Sequence, residues 1–299
     1  MRGRVLRVSG LQCLVDVGIE EWQCELRGKL KRGTRTTNAP VVTGDMVEVA
    51  AVSEKVGVVE SVYPRHSLFS RLASGSRPGE QLLVANIDTL VAMVSLRNPS
   101  PRVGFIDRAI VMALKGNIDP AICINKHDLL AEGESQPIEQ TYGDLGYRVY
   151  LTSAKTGAGV EALRRALTDR VSTFVGQSGV GKSSLLNRLQ PGLALKTDTT
   201  MKKHNRGKHT TTATHLYKLD SGGMVADTPG LKKLGLWDVS RATLAGYFVE
   251  MAPLLQQCRF RNCLHLSEPG CVIRNAVEEN RITATRYAGY ERIIQTLAE

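Results

Sequence analysis

The run Gly176-Gln177-Ser178-Gly179-Val180-Gly181-Lys182-Ser183 has the spacing G-x-x-x-x-G-K-[ST]; an apolar stretch, 172–175, precedes it, and Ser184 continues into the helical run 184–189. A strand, a glycine loop and a helix in that order are what a phosphate cradle requires. The glycines let the backbone curl so that successive N–H groups point at one phosphate, and the helix N-terminus adds its dipole. Lys182 then reaches the β- and γ-phosphates, and Ser183 ligates Mg2+. A second element, Asp227-Thr228-Pro229-Gly230, closes the apolar stretch 223–226 and fits D-x-x-G. There Asp227 holds Mg2+ through water, and the Gly230 N–H contacts the γ-phosphate.

The base is specified elsewhere. Asn125-Lys126-His127-Asp128 ends the apolar stretch 121–124 and fits N-K-x-D, while Ser153-Ala154-Lys155 follows the stretch 148–151. Guanine offers an N1–H and an exocyclic amine on one edge, a donor pair that one carboxylate accepts together and that adenine lacks. Asp128 is therefore the discriminator. Asn125 is expected to bond the base edge and brace the loop, the Lys126 stem to pack on the ring, and a backbone N–H of 153–155 to meet the guanine O6. The nucleotide is GTP. Both base-reading elements precede the phosphate loop, the reverse of the usual GTPase order, which implies a circularly permuted domain whose original termini lay close together.

Between the phosphate loop and D-x-x-G lies a basic segment with Lys202, Lys203, Arg206 and Lys208, followed by His209-Thr210-Thr211-Thr212. One of these threonines is expected to ligate Mg2+, with Thr211 preferred. Leu231 stands where a water-orienting Gln often follows D-x-x-G, so another group must position the attacking water. His209 is the candidate, since an imidazole near the γ-phosphate can orient or deprotonate water. Farther on, Cys258-x4-Cys263-x-His265-x5-Cys271 gathers three thiolates and an imidazole, the donor set of a closed, structural Zn2+ site. Cys13, Cys24 and Cys123 lie in apolar strand patterns and read as buried thiols.

These residues need a multidomain α/β scaffold. In 1–67, short β-forming stretches at 3–8, 12–17, 22–25 and 46–51 suggest a small OB-fold barrel. Residues 68–234 alternate apolar strands (89–95, 121–125, 148–151, 172–175) with helical patterns at 105–114 and 160–167, as in a parallel sheet covered on both faces. Residues 235–299 read as helical around the Cys/His cluster, ending in one amphipathic stretch over 276–297. With 42% hydrophobic residues, the 299-residue chain is no disordered basic tail. It has no apolar run of membrane-spanning length and no signal-peptide core, so a cytoplasmic protein with no membrane partner is expected. Its net charge of +10 favours an anionic partner, nucleic acid first. The excess is spread over the chain, with a local concentration in Arg27, Lys29, Lys31, Arg32 and Arg35, read as a loop that tracks an RNA backbone.

Taken together, the barrel, the order of the nucleotide elements, the block 209–212 and the Cys258/Cys263/His265/Cys271 cluster resemble the bacterial family of ribosome small-subunit-dependent GTPases, RsgA. The resemblance covers essentially the whole chain. It implies an OB domain, a permuted G domain and a zinc domain, with GTP hydrolysis late in maturation of the small ribosomal subunit and stimulated by that subunit. The family's catalytic histidine falls on His209 and its metal ligands on the four residues named. A monomer is expected to suffice. The alternative is a GTP-gated RNA-binding scaffold in which hydrolysis is incidental.

Overall fold

The chain begins with strands β1 (Arg2–Ser9), β2 (Gln12–Asp16), β3 (Glu21–Leu26), β4 (Met46–Ser53) and β5 (Val56–Val62). Alternation turns Val5, Cys13, Val15, Cys24, Val47, Val49 and Val59 inward to one core. β1 pairs antiparallel with both β2 and β4, and β3 pairs parallel with β5, so the five strands close into an OB-like barrel with no free edge. The computed structural model describes residues 1–31, 39–73, 79–132, 134, 137–193, 214–228 and 234–298. Residues 28–31, expected to lie in a loop, instead form the single helical turn α1 (Gly28–Lys31) directly after β3.

A separate hairpin, β6 (Leu68–Leu72) and β7 (Glu80–Ala85), leads into the second region. Its elements are β8 (Thr89–Ser95), α2 (Val103–Lys115), β9 (Asp119–Asn125), α3 (Pro137–Gly143), β10 (Arg148–Leu151), α4 (Val160–Leu167), β11 (Val171–Gly176), α5 (Lys182–Leu189), β12 (His215–Lys218) and β13 (Met224–Asp227). The strand order is β10-β9-β8-β11-β13-β12, parallel except for β12. Every residue of β8 is buried because both faces of the sheet are covered. Leu90 and Ala92 face a core shared with α2 and the C-terminal region, whereas Val91 and Met93 face α4 and α5.

The barrel and this sheet are joined. β12 pairs antiparallel with β1 through Arg7 and His215, and Lys218 forms a salt bridge with Asp16 at 2.8 Å. At the same seam Gly44 has φ +90°, and a Cβ there would lie 2.1 Å from the Ala85 carbonyl oxygen, so only glycine fits.

The C-terminal region contains α6 (Arg241–Leu244), α7 (Val272–Glu278) and α8 (Ala284–Ile294). The amphipathic stretch 276–297, read as continuous, is in fact broken. Asn280 takes a left-handed φ of 57°, and the Thr283 side chain caps α8 by accepting from the Arg286 N–H. Arg286, 1% exposed, ties this region to α2. Its guanidinium pairs with Asp107 and, at 2.7 Å, with Glu250, and lies over the rings of Tyr142 and Phe248. Burial raises the Asp107 carboxyl above its ordinary value, with Arg286 opposing the shift. Among the described residues, no helix is long and apolar enough to cross a membrane.

Candidate nucleotide site and metal centre

The sequence-predicted nucleotide residues collect at the C-terminal edge of the parallel strands, where α/β sheets bind ligands. β11 delivers the loop 176–181, and α5 opens at Lys182 with no acidic residue in its first turn and no side-chain cap, leaving its first N–H groups directed at the loop. Gly181 has φ +92°, and a Cβ there would lie 2.4 Å from Asn125 Nδ2. That close approach is what lets two separate elements meet. Val180 is buried and Ser178 exposed, while Gln177, Gly179 and Ser183 are half-buried and Ser184 is exposed.

Asn125, 1% exposed at the end of β9, is the joint. Its Nδ2 donates to the Val180 carbonyl at 2.9 Å, and its Oδ1 accepts from the Ala154 N–H at 3.1 Å and the Thr152 hydroxyl at 3.2 Å. These bonds tie the loop around Val180 to the segment 152–154. Asn125 thereby engages the Ala154 N–H, one of the donors expected to face the base. Lys126 takes φ 62°, and its ammonium donates to the carbonyls of Gly179, at 2.7 Å, and Asn98, linking the phosphate loop to the segment after β8. Asp128 is exposed, and its Oδ1 accepts from the Ser153 hydroxyl at 2.5 Å, which fixes the carboxylate. Ser153 is itself held, because its oxygen accepts from the Thr156 N–H at 3.1 Å. His127 is half-buried beside it and Lys155 is exposed.

On the other side of β11, Asp227 ends β13 in register with Phe174, and its carboxylate pairs with the Lys182 ammonium. The two groups expected at the γ-phosphate end therefore lie together. Gly230, His209 and Thr211 lie outside the described residues. Among the basic residues after β3, Arg27 pairs with Glu60. Lys29 and Lys31 fall on α1; their side chains, and all of Arg32 and Arg35, lie outside the described residues.

Sequence reasoning missed Thr152, which is fully buried beneath the site and contacts Cys123 Sγ at 3.2 Å as well as Asn125. Its position just before Ser153 at a strand end was the available signal. Burial pushes the Cys123 thiol up to about 12, which keeps it neutral.

The second cluster lies in the C-terminal region. One ligand atom each from Cys258, Cys263, His265 and Cys271 lies within 4.8 Å of the others. His265 Nδ1 is 3.6 Å from Cys258 Sγ and 3.5 Å from Cys271 Sγ. Bonds of about 2.3 Å to sulfur and 2.0–2.1 Å to nitrogen put a sulfur and the nitrogen of a tetrahedral site roughly 3.5–3.6 Å apart, so these sulfur–nitrogen separations fit a metal ion. Burial lowers the His265 pKa, with Glu268 opposing, which favours the neutral imidazole that metals bind. The surrounding loop is braced by Glu268, whose carboxylate accepts from the N–H groups of Leu264, Leu266 and Ser267 at 2.7–3.1 Å. Tyr290 and Tyr287 on α8 donate to the Leu264 and His265 carbonyls, each at 2.7 Å.

A phosphate loop between a parallel strand and a helix, with its N-K-x-D and S-A-K elements placed before it in the chain, defines a circularly permuted P-loop GTPase; here it carries an OB-like barrel before it and a Cys3His cluster after it. The family model described as RsgA GTPase matches residues 62–237, and the chain belongs to that family. A relative from Moorella thermoacetica, named small ribosomal subunit biogenesis GTPase RsgA, is 39% identical over 97% of this chain and 95% of its own length. One of the same name from Gemmatimonas aurantiaca is 38% identical over 92% and 90%. Among solved structures, YjeQ from Thermotoga maritima superposes with a TM-score of 0.80 at 34% identity, covering 99% of this chain and 98% of its own. YloQ, described as a circularly permuted GTPase, gives 0.74 at 30% identity, covering 98% and 93%.

Proposed function

We propose that this protein is a Mg2+-dependent GTPase acting in biogenesis of the small ribosomal subunit, which it engages through ribosomal RNA in the cytoplasm as a monomer. Its domains would divide at 67/68 and 234/235. The observation that carries the reading is the convergence of Asn125, Ser153 and the loop 176–183 on one sheet edge in that chain order, in a chain whose near-full-length relatives bear that name.

In this reading Asp128, held by Ser153, accepts the two guanine donors, and Asn125 fixes the distance between base and phosphates. Lys182 leaves Asp227 for the β- and γ-phosphates, freeing the Asp227 carboxylate for the metal. Ser183, Thr211 and Asp227 would hold Mg2+, which when bound would supply positive charge against the phosphates. The Gly230 N–H holds the γ-phosphate, and His209 orients the attacking water. The Cys3His cluster would hold one structural Zn2+, the ion whose closed tetrahedral sites use these donors. The residues 27–35 contribute RNA contacts.

A Lys182→Ala variant tests turnover against mere gating. Retained small-subunit binding with lost maturation in cells is expected. Maturation that survives without hydrolysis would leave only an RNA-binding scaffold.

A further inference from the structure

Of the large apolar side chains exposed among the described residues, one is aromatic: Phe260, at 41% exposure. It sits between two metal-ligand candidates, in the run Cys258-Arg259-Phe260-Arg261-Asn262-Cys263. The turn is closed by the Cys263 N–H donating to the Phe260 carbonyl at 3.3 Å, and the Arg259 N–H donates to the Gly270 carbonyl at 3.4 Å. The ring is therefore presented by a backbone that is tied at both ends, so little ordering entropy opposes its use. The Arg259 guanidinium lies 5.4 Å from the ring centroid, over one face. Arg259 and Arg261 are both exposed and enter no salt bridge among the described residues. No acidic residue occurs between Glu250 and Glu268, and the Glu268 carboxylate is occupied by backbone N–H groups.

An exposed aromatic ring flanked by two arginines that no carboxylate pairs suits a single-stranded nucleic acid, whose bases stack and whose phosphates take guanidinium groups. We propose that Phe260 is a stacking platform for one unpaired nucleobase of ribosomal RNA, with Arg259 and Arg261 holding the neighbouring phosphates. This rests on the RNA-bearing partner proposed above and assigns that contact to the metal loop.

The test is binding of the full-length, metal-loaded chain, with a non-hydrolysable GTP analogue, to purified small subunits across a salt series. Phe260→Ala should weaken binding by about 5- to 150-fold, the equivalent of roughly 1–3 kcal/mol, without changing the salt dependence. Phe260→Trp should restore it, and Arg261→Ala should lower the salt slope by about one. A photo-crosslinking benzoyl-phenylalanine at position 260 should attach to RNA. Wild-type binding by Phe260→Ala, failure of Phe260→Trp to rescue, or crosslinks to ribosomal protein alone would overturn the inference while leaving subunit binding intact. A wild-type chain that does not bind subunits would remove the partner itself, a separate result. Unchanged zinc content in each variant verifies that the loop remains folded.

Discussion

Replacing Asn125 with alanine removes the joint between the base-reading and phosphate-holding halves of the site, and its effect can be sized from the structure. The side chain is 1% exposed and makes three hydrogen bonds, to Val180, Ala154 and Thr152. At roughly 0.5–1.5 kcal/mol net for each bond, with the Val180 carbonyl and Ala154 N–H left unpaired, the loss is on the order of 2–4 kcal/mol. For a domain of this size, that corresponds to a drop of roughly 5–15 °C in the unfolding midpoint. The same change frees the loop around Val180 from the segment around Ala154, so GDP affinity should fall by at least about tenfold, or 1.4 kcal/mol. Calorimetry of the transition that GDP raises gives the first quantity, and titration with a fluorescent GDP gives the second. Thr152→Val, which removes one of the three bonds, should show the smaller effect on both. A midpoint within about 2 °C of wild type would refute the hydrogen-bond argument. A large stability loss with unchanged GDP affinity would make Asn125 a core residue with no part in joining the two halves.

Two further outcomes follow from the C-terminal region. Arg286→Met strands the buried Asp107 and Glu250 carboxylates and should cost about 3–5 kcal/mol in denaturant unfolding, and adding Asp107→Asn and Glu250→Gln should recover most of it; a loss below about 1 kcal/mol would contradict the buried pairing. Stripping metal with a strong chelator should open 258–271 to proteolysis and change the Tyr287 and Tyr290 fluorescence, because their hydroxyls bond carbonyls of that loop; an unchanged digestion pattern would mean the loop stands without metal.

The legible parts of the sequence were those in which local pattern and tertiary environment agree. β8, β10 and α4 occupy the stretches read from apolar runs and helical spacing, since buried parallel strands show continuous apolar residues. The phosphate loop was legible because its glycines have one backbone reason to be there. Other features depend on partners distant in sequence. Arg286 gives no sign of its pairing, because Asp107 is 179 residues away. Asn125 was recognisable as a motif residue, but its bond to Val180, 55 residues on, arises only when β9 and β11 bring their ends together. The helix break at 279–283 rested on a left-handed Asn280 and a Thr283 cap, signals hidden by the apolar spacing on either side.

The proposed function requires this permuted site to turn over GTP faster when the small ribosomal subunit is present. Steady-state GTP hydrolysis by the purified protein, measured with and without intact small subunits, tests it most directly. Turnover should be slow alone and at least about tenfold faster with subunits, with little effect of naked ribosomal RNA. Equal rates with and without subunits would contradict it.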